Sequence, residues 1–206
     1  MNKDAETQRL KVTKRKKHCD FVTLCLCDFN KFEKIKITNK KMNITVYHVS
    51  CAEVKNPSVD VNGENLGFGK GFYLTNSKAE AESWARKIAA ENGEDANPII
   101  SVYEFNYFKT KNVGYRFNEF ETYNKEWLNF VVDCRKGKDV TADYDIVIAG
   151  GLYDEIADIV NDYEKNNITA EEAVEQLRYK DVKFQICILN QEIIDFNLEF
   201  VEQLTM

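Results

Sequence analysis

Apolar residues recur along the chain in short runs, and most of these runs have the length and composition of β-strands. β-branched and aromatic residues dominate them, as is typical of strands. The run "YDIVIAGG" is apolar almost throughout and therefore predicts a buried strand. The predicted strands cover residues 43–50, 71–75, 98–107, 144–151 and 183–190, and residues 21–29 also have strand character.

Four other segments place apolar residues at the spacing of an amphipathic helix. The first begins at an N-cap on Asn76 or Ser77, with Glu80 completing a capping-box pattern from Ser77, and Thr169 caps the last in the same way. The predicted helices cover residues 76–93, 124–137, 152–167 and 170–180. The strands are too numerous for a helical bundle, and the helices do not alternate with them regularly. The sequence therefore predicts an α+β fold.

The charge is unevenly distributed along the 206 residues. Residues 1–41 hold 12 lysines and arginines against 5 acidic residues, whereas residues 42–206 hold 16 against 29. Such asymmetry is typical of an arm attached to a domain. We therefore predict a basic N-terminal extension over residues 1–41 and one domain over residues 42–206. The basic run at 11–18 is either a solvated tail or a contact to nucleic acid or an acidic partner.

Neither a membrane span nor a secretory signal is predicted. The apolar runs are too short to cross a bilayer, and the charged N-terminus lacks the pattern of a signal peptide. The sequence thus predicts a cytoplasmic protein without a membrane partner. Its six cysteines are expected to be reduced thiols in that compartment.

Several common catalytic and metal-binding motifs are missing. His18, Cys19, Cys25 and Cys27 are close in sequence, but their spacing fits no common zinc site, so no metal is predicted. The chain also lacks the G-x-S-x-G nucleophile turn, the Walker phosphate loop and the G-x-G-x-x-G dinucleotide motif.

Three separated segments carry the candidate chemistry. The first is "YHVS" at 47–50 in a predicted strand, and the third opens with Gln185 in another. Between them, "GFGKGFYLT" at 67–75 contains three of the nine glycines of the chain. Glycines at 69 and 71 would let a ligand approach the backbone closely, because they have no side chain.

In their order and spacing, these segments resemble the ADP-ribosyltransferase superfamily, in the branch with a His-Tyr-Glu triad that includes diphtheria toxin and the poly(ADP-ribose) polymerases. In the polymerases the motifs look like "HGS", "FGKGIYFA" and a glutamate that opens an apolar strand. Here they stand as "HVS", "FGKGFYLT" and "QICIL". Residues 43–200 also resemble an uncharacterised group of bacterial domains, with a His-Tyr-Gln variant of the triad. The resemblance implies a split β-sandwich, in which two small sheets surround an NAD cleft and helices flank them.

The function implied by the resemblance is that of a mono-ADP-ribosyltransferase. NAD would be the co-substrate, cleaved at the bond between nicotinamide and ribose. ADP-ribose would pass to a protein or nucleic-acid target. Bacterial relatives of this kind are often toxin-like and accompanied by a small antitoxin-like partner, and the same is expected here.

The resemblance also implies roles for individual residues. His48 would hydrogen-bond ribose hydroxyls, Tyr73 would stack on the nicotinamide ring, and Gln185 would stand where the family has its catalytic glutamate. Trp84 matches a second stacking aromatic, although its position on an apolar helix stripe fits a core residue equally well. The other residues expected to contact NAD are Tyr47, Val49, Ser50, Phe68, Gly69, Lys70, Gly71, Phe72 and Thr75.

Two positions depart from the family's pattern, because Val49 replaces a glycine and Gln185 replaces the glutamate. An amide accepts the same hydrogen bond as a carboxylate but carries no charge. The alternative is therefore a catalytically weak module that binds NAD, ADP-ribose or a partner on the same fold. The RNA 2′-phosphotransferase branch of the clan is disfavoured. Its chemistry needs several arginines around a phosphate, and none of the four arginines in residues 42–206 lies in the matching motifs.

Overall fold

The computed structural model describes residues 43–60, 66–92 and 97–205, which form seven strands and six helices. The strands are β1 (Ile44–Ser50), β2 (Phe72–Thr75), β3 (Ile99–Phe105), β4 (Phe117–Glu119), β5 (Ile146–Gly150), β6 (Phe184–Ile188) and β7 (Leu198–Thr205). The helices are α1 (Lys78–Asn92), α2 (Tyr107–Val113), α3 (Lys125–Arg135), α4 (Asp154–Glu164), α5 (Ala170–Leu177) and α6 (Gln191–Asn197). The predicted α+β class is confirmed. The predicted basic extension and the strand character at 21–29 lie outside the described residues.

All seven strands belong to one mixed sheet, in the order β4-β5-β6-β2-β1-β3-β7. The prediction of two separate sheets is therefore wrong as to hydrogen bonding, but the connection between the halves is weak. β1 and β2 are antiparallel neighbours, but they pair at one position, between Tyr47 and Thr75. In contrast, all four residues of the short strand β2 pair with β6. The sheet thus has two well-paired halves that meet at a seam between β1 and β2.

The helix starts follow from side-chain caps. Ser77 Oγ accepts a hydrogen bond from the Glu80 amide at the start of α1, and Thr169 and Glu172 form the predicted capping box at α5. The box predicted at α1 is only half made, because the Ser77 amide donates to Thr75 Oγ1. The Glu80 carboxylate pairs instead with Lys183.

Two helices, α2 and α6, and the two edge strands of the sheet, β4 and β7, were not predicted from the pattern. α2 and α6 have seven residues each, which is too short for a helical period to emerge, and asparagines at 106 and 190 cap them. The strand predicted at 98–107 ends at Phe105 because Asn106 is the N-cap of α2. β4 has three residues, and β7 is largely exposed along the edge of the sheet.

The main core lies between one sheet half and the helices α3, α4 and α5. Trp127 on α3 is fully buried there, and its Nε1 donates to the Gly150 carbonyl at the end of β5, 3.1 Å away. The apolar stripes predicted for α3 and α4 face this core. A smaller cluster packs α1 against β3 through Ala81, Ala85 and Ile100. The partly buried residues packed against the main core include one from β2, and those packed against the smaller cluster include two from β1.

Candidate functional site

A cleft of about 310 Å³ lies over the seam between β1 and β2. Its walls come from both strands, α1, the start of β6, and the chain segments before β2 and after β5. The three residues of the expected triad, His48, Tyr73 and Gln185, all line it. The lining residues besides these are Tyr47, Val49, Leu66, Gly67, Phe68, Leu74, Thr75, Glu80, Ala81, Trp84, Leu152 and Tyr153.

His48 on β1 contacts β2 through its side chain. The Nδ1 atom lies 2.9 Å from the carbonyl oxygen of Tyr73. Because a carbonyl only accepts, Nδ1 carries the proton, and Nε2 of the neutral ring is a hydrogen-bond acceptor. The ring also packs on Phe72, with 4.5 Å between the centroids. His48 is therefore held in one tautomer and one orientation at the cleft.

Burial lowers the pKa of the His48 ring below its ordinary value of 6.5, and the hydrogen bond to the Tyr73 carbonyl opposes this effect. The folded protein thus binds a proton at His48 less readily than the unfolded chain does. At neutral pH the neutral ring predominates, which is the form that can accept a hydrogen bond.

We expect this pKa shift to make stability depend on pH. A histidine with a lowered folded-state pKa contributes stability that is complete above the unfolded-state pKa of about 6.5 and is lost as pH falls below it. Urea unfolding between pH 7.5 and 5.0 measures the slope, which for one proton is at most about 1.4 kcal/mol per pH unit. His48→Gln should flatten the slope. Equal slopes in the wild type and the variant would contradict the expectation.

Tyr73 on β2 fixes the loop before it. Its hydroxyl donates to the Gly69 carbonyl at 2.6 Å and accepts from the Phe68 amide at 3.0 Å. Burial raises the pKa of the phenol far above its usual range, so the hydroxyl stays protonated. The Tyr73 and Phe68 rings are nearly parallel, 6.1 Å apart. Tyr73 therefore shapes one wall of the cleft and offers an aromatic ring to it.

Five residues expected to contact NAD do not line the cleft. Ser50 donates to the Ala52 carbonyl, and Phe72 is buried between His48 and Tyr103. Lys70 forms an ion pair with Asp60 at 3.0 Å.

The two glycines among those five have structural roles. Gly69 has a φ of +78°, a conformation that strains other residues. At Gly71 a Cβ would lie 2.7 Å from the Ile188 carbonyl oxygen on β6. Backbone conformation explains Gly69 and strand packing explains Gly71, whereas the sequence suggested that both glycines allow a ligand to approach.

Gln185 lies at the start of β6, opposite Thr75 on one side and Ala149 on the other. A Cβ at Gly151 would lie 2.7 Å from Gln185 Cδ and 2.8 Å from Tyr153 Cε2, so Gly151 makes room for both side chains. Burial, and secondarily the charge of Glu80, raise the pKa of Tyr153, while hydrogen bonding to Gln185 and Thr75 opposes the shift. This end of the cleft is thus a polar cluster.

Trp84 stands on the cleft wall and is 39% exposed, which excludes the alternative of a core tryptophan. Lys87 Nζ lies 5.3 Å from its ring centroid. Together with Tyr47, Phe68, Tyr73 and Tyr153, Trp84 gives the cleft an aromatic lining. Such a lining suits a flat or cationic ring.

Glu80 and Tyr153 are the most consequential cleft residues that sequence reasoning missed. Glu80 lies four positions before Trp84 on α1, so the two share a helix face, and that spacing is a signal that could have identified Glu80. Tyr153 follows Gly150-Gly151, with no pattern that marks it. Asp145, a carboxylate near the late strands, pairs with Arg116 instead of lining the cleft.

The described residues contain no group of three or more histidine, cysteine, aspartate or glutamate side chains that could hold a metal ion. In the same part of the chain, every helix is too short or too polar to cross a membrane.

The fold and the site define an α+β protein with an aromatic-walled cleft over a seam of its sheet. Residues 44–200 match the family described as "Protein of unknown function (DUF3990)". Because the match spans most of the chain, the protein belongs to this family. No curated protein and no solved structure matches the chain.

Proposed function

We propose that this protein is a mono-ADP-ribosyltransferase that cleaves NAD at the nicotinamide–ribose bond and transfers ADP-ribose to a macromolecular target. The observation that carries the proposal is the meeting of His48, Tyr73 and Gln185 at one cleft. These residues come from three strands and are far apart in the chain. The single register pair between β1 and β2 leaves two well-paired halves of one sheet at the cleft, and this arrangement supports the proposal although the halves are not separate sheets.

The size of the cleft fits part of a dinucleotide. Small-molecule sites commonly measure about 300–1,000 Å³, and 310 Å³ is near the lower end of that range. The cleft therefore suits the nicotinamide and its ribose, with the remainder of NAD extending outward. Tyr73 and Trp84 provide ring surfaces for the nicotinamide.

His48 and Gln185 would orient the ribose. The Nε2 atom of His48 accepts a hydrogen bond from a ribose hydroxyl, while Nδ1 stays bound to the Tyr73 carbonyl. Gln185, held beside Tyr153, accepts a hydrogen bond from the 2′-hydroxyl. Nicotinamide leaves with the electron pair of the broken C–N bond, and a nucleophile of the target attacks the same carbon and loses its proton. The target is a protein or nucleic acid, and a small antitoxin-like partner would restrain the activity.

Binding and transfer of NAD test the proposal directly. Calorimetry should detect NAD binding to the purified full chain. Incubation of the chain with labelled NAD and whole bacterial lysate should label a protein or nucleic acid. A chain that binds no NAD and labels no macromolecule would contradict the proposal.

A second candidate function is a catalytically weak module that binds NAD, ADP-ribose or a partner. The uncharged Gln185 favours it. If the protein is a transferase, we expect the wild type to cleave NAD. The rate of cleavage should fall about tenfold in Gln185→Leu, which keeps the bulk of the side chain but removes a hydrogen-bond acceptor. Release of nicotinamide measures the rate in each protein. Cleavage that arises only in Gln185→Glu, with a silent wild type, would favour the binding module.

A further inference from the structure

Glu80 brings a negative charge to the cleft wall. Its side chain is 19% exposed, and its Oε1 lies 3.1 Å from Lys183 Nζ. Lys183 is more accessible, with 46% of its side chain exposed, and it is not among the cleft-lining residues. The carboxylate is thus held at the cleft by α1, while its cationic partner reaches it from the solvent side.

The carboxylate lies at the Gln185 end of the cleft. Lys183 precedes Gln185 by two residues, and its Nζ is 5.2 Å from the centroid of the Tyr153 ring. Tyr153 and Gln185 both pack around Gly151 and line the cleft together with Glu80, whose charge helps to raise the pKa of Tyr153. Glu80, Tyr153 and Gln185 therefore form one neighbourhood.

We propose that Glu80 makes the cleft selective for a cationic ligand, with Lys183 as the counter-ion that the ligand's positive charge displaces. The inference rests on the proposed function, because oxidised NAD carries a positive charge on the nicotinamide ring that its reduced form lacks. A half-exposed lysine can rotate into solvent at low cost, whereas the carboxylate stays at the wall. The charge missing at position 185 is then provided from α1.

An ion pair with a purely structural role and one with this binding role differ in a testable way. Removing either partner of a structural pair weakens the site in the same direction. In a competitive pair, the two removals have opposite effects on a cation. Glu80→Gln should weaken binding of the cation, and Lys183→Gln should strengthen it, because the carboxylate loses its internal competitor.

The experiment measures affinities for two probes of similar shape, the cation 1-methylnicotinamide and neutral nicotinamide, by saturation-transfer NMR on the full chain. Wild type should prefer the cation. Glu80→Gln should lower that preference by about tenfold and Lys183→Gln should raise it severalfold, with nicotinamide binding little changed. Glu91→Gln, on the same helix but away from the cleft, is the matched control and should match wild type.

Two outcomes would overturn the inference alone. One is a wild type that binds NAD but does not distinguish the two probes. The other is a fall in cation affinity of similar size in both Glu80→Gln and Lys183→Gln. A wild type that binds neither NAD nor either probe would instead overturn the proposed function.

Discussion

Replacing Gly71 with alanine is expected to lower the free energy of unfolding by about 2–3 kcal/mol. A Cβ at this position would lie 2.6 Å from Cys187 Sγ and 2.7 Å from the Ile188 carbonyl oxygen. Both atoms belong to β6, the strand that pairs with all of β2, and Cys187 and Ile188 are fully buried. Because the carbonyl is part of the sheet backbone, it cannot move without separating the two strands.

Gly67→Ala is the matched control for this substitution. Its Cβ would approach Leu152 Cδ1 at 2.5 Å, but that atom is the far end of a flexible side chain. We expect Gly67→Ala to cost about 1 kcal/mol or less, since Leu152 can change its rotamer. Urea denaturation of the two variants and wild type gives the comparison. A loss in Gly71→Ala of only about 1 kcal/mol or less would show that β6 yields to the added methyl group and would contradict the prediction.

The long elements could be predicted from the sequence because their signals are local. The buried strand at β5 and the capping box at α5 depend on residues within a few positions of one another. α2 and α6 were missed because one or two turns do not establish a period. Ser77, one of the two N-caps predicted for α1, accepts a hydrogen bond from the Glu80 amide. The Glu80 carboxylate pairs with Lys183, a contact that no local pattern contains.

The candidate site could be predicted only in part for the same reason. The motifs indicated His48, Tyr73 and Gln185, and the structure brings these three to one cleft. The role of Gly71 depends on the pairing of β2 with β6, and that of Tyr153 on the fold of β5 next to β6. Those strands are far apart in the chain, so residue type and spacing could not reveal which side chains their pairing brings together.

The ring of Tyr73 lines the cleft, whereas its hydroxyl holds the loop before β2. Two variants can distinguish these two roles. Tyr73→Ala removes both, and we expect it to lower kcat/KM for the proposed NAD cleavage by up to about 100-fold. The lost ring stacking accounts for this decrease, because stacking of a base on an aromatic side chain contributes about 1–3 kcal/mol. Tyr73→Phe keeps the ring, so NAD affinity should stay within about threefold of wild type.

The loss in Tyr73→Phe should fall on stability instead. The Phe68 amide and the Gly69 carbonyl both lose the partner that the hydroxyl provides, which should cost about 1–3 kcal/mol in unfolding free energy. Tyr179→Ala removes an exposed tyrosine elsewhere and should leave both quantities unchanged. If Tyr73→Phe lost NAD affinity to the same extent as Tyr73→Ala, the hydroxyl and the loop it holds would be the important feature. That result would contradict the proposal that the Tyr73 ring stacks on nicotinamide.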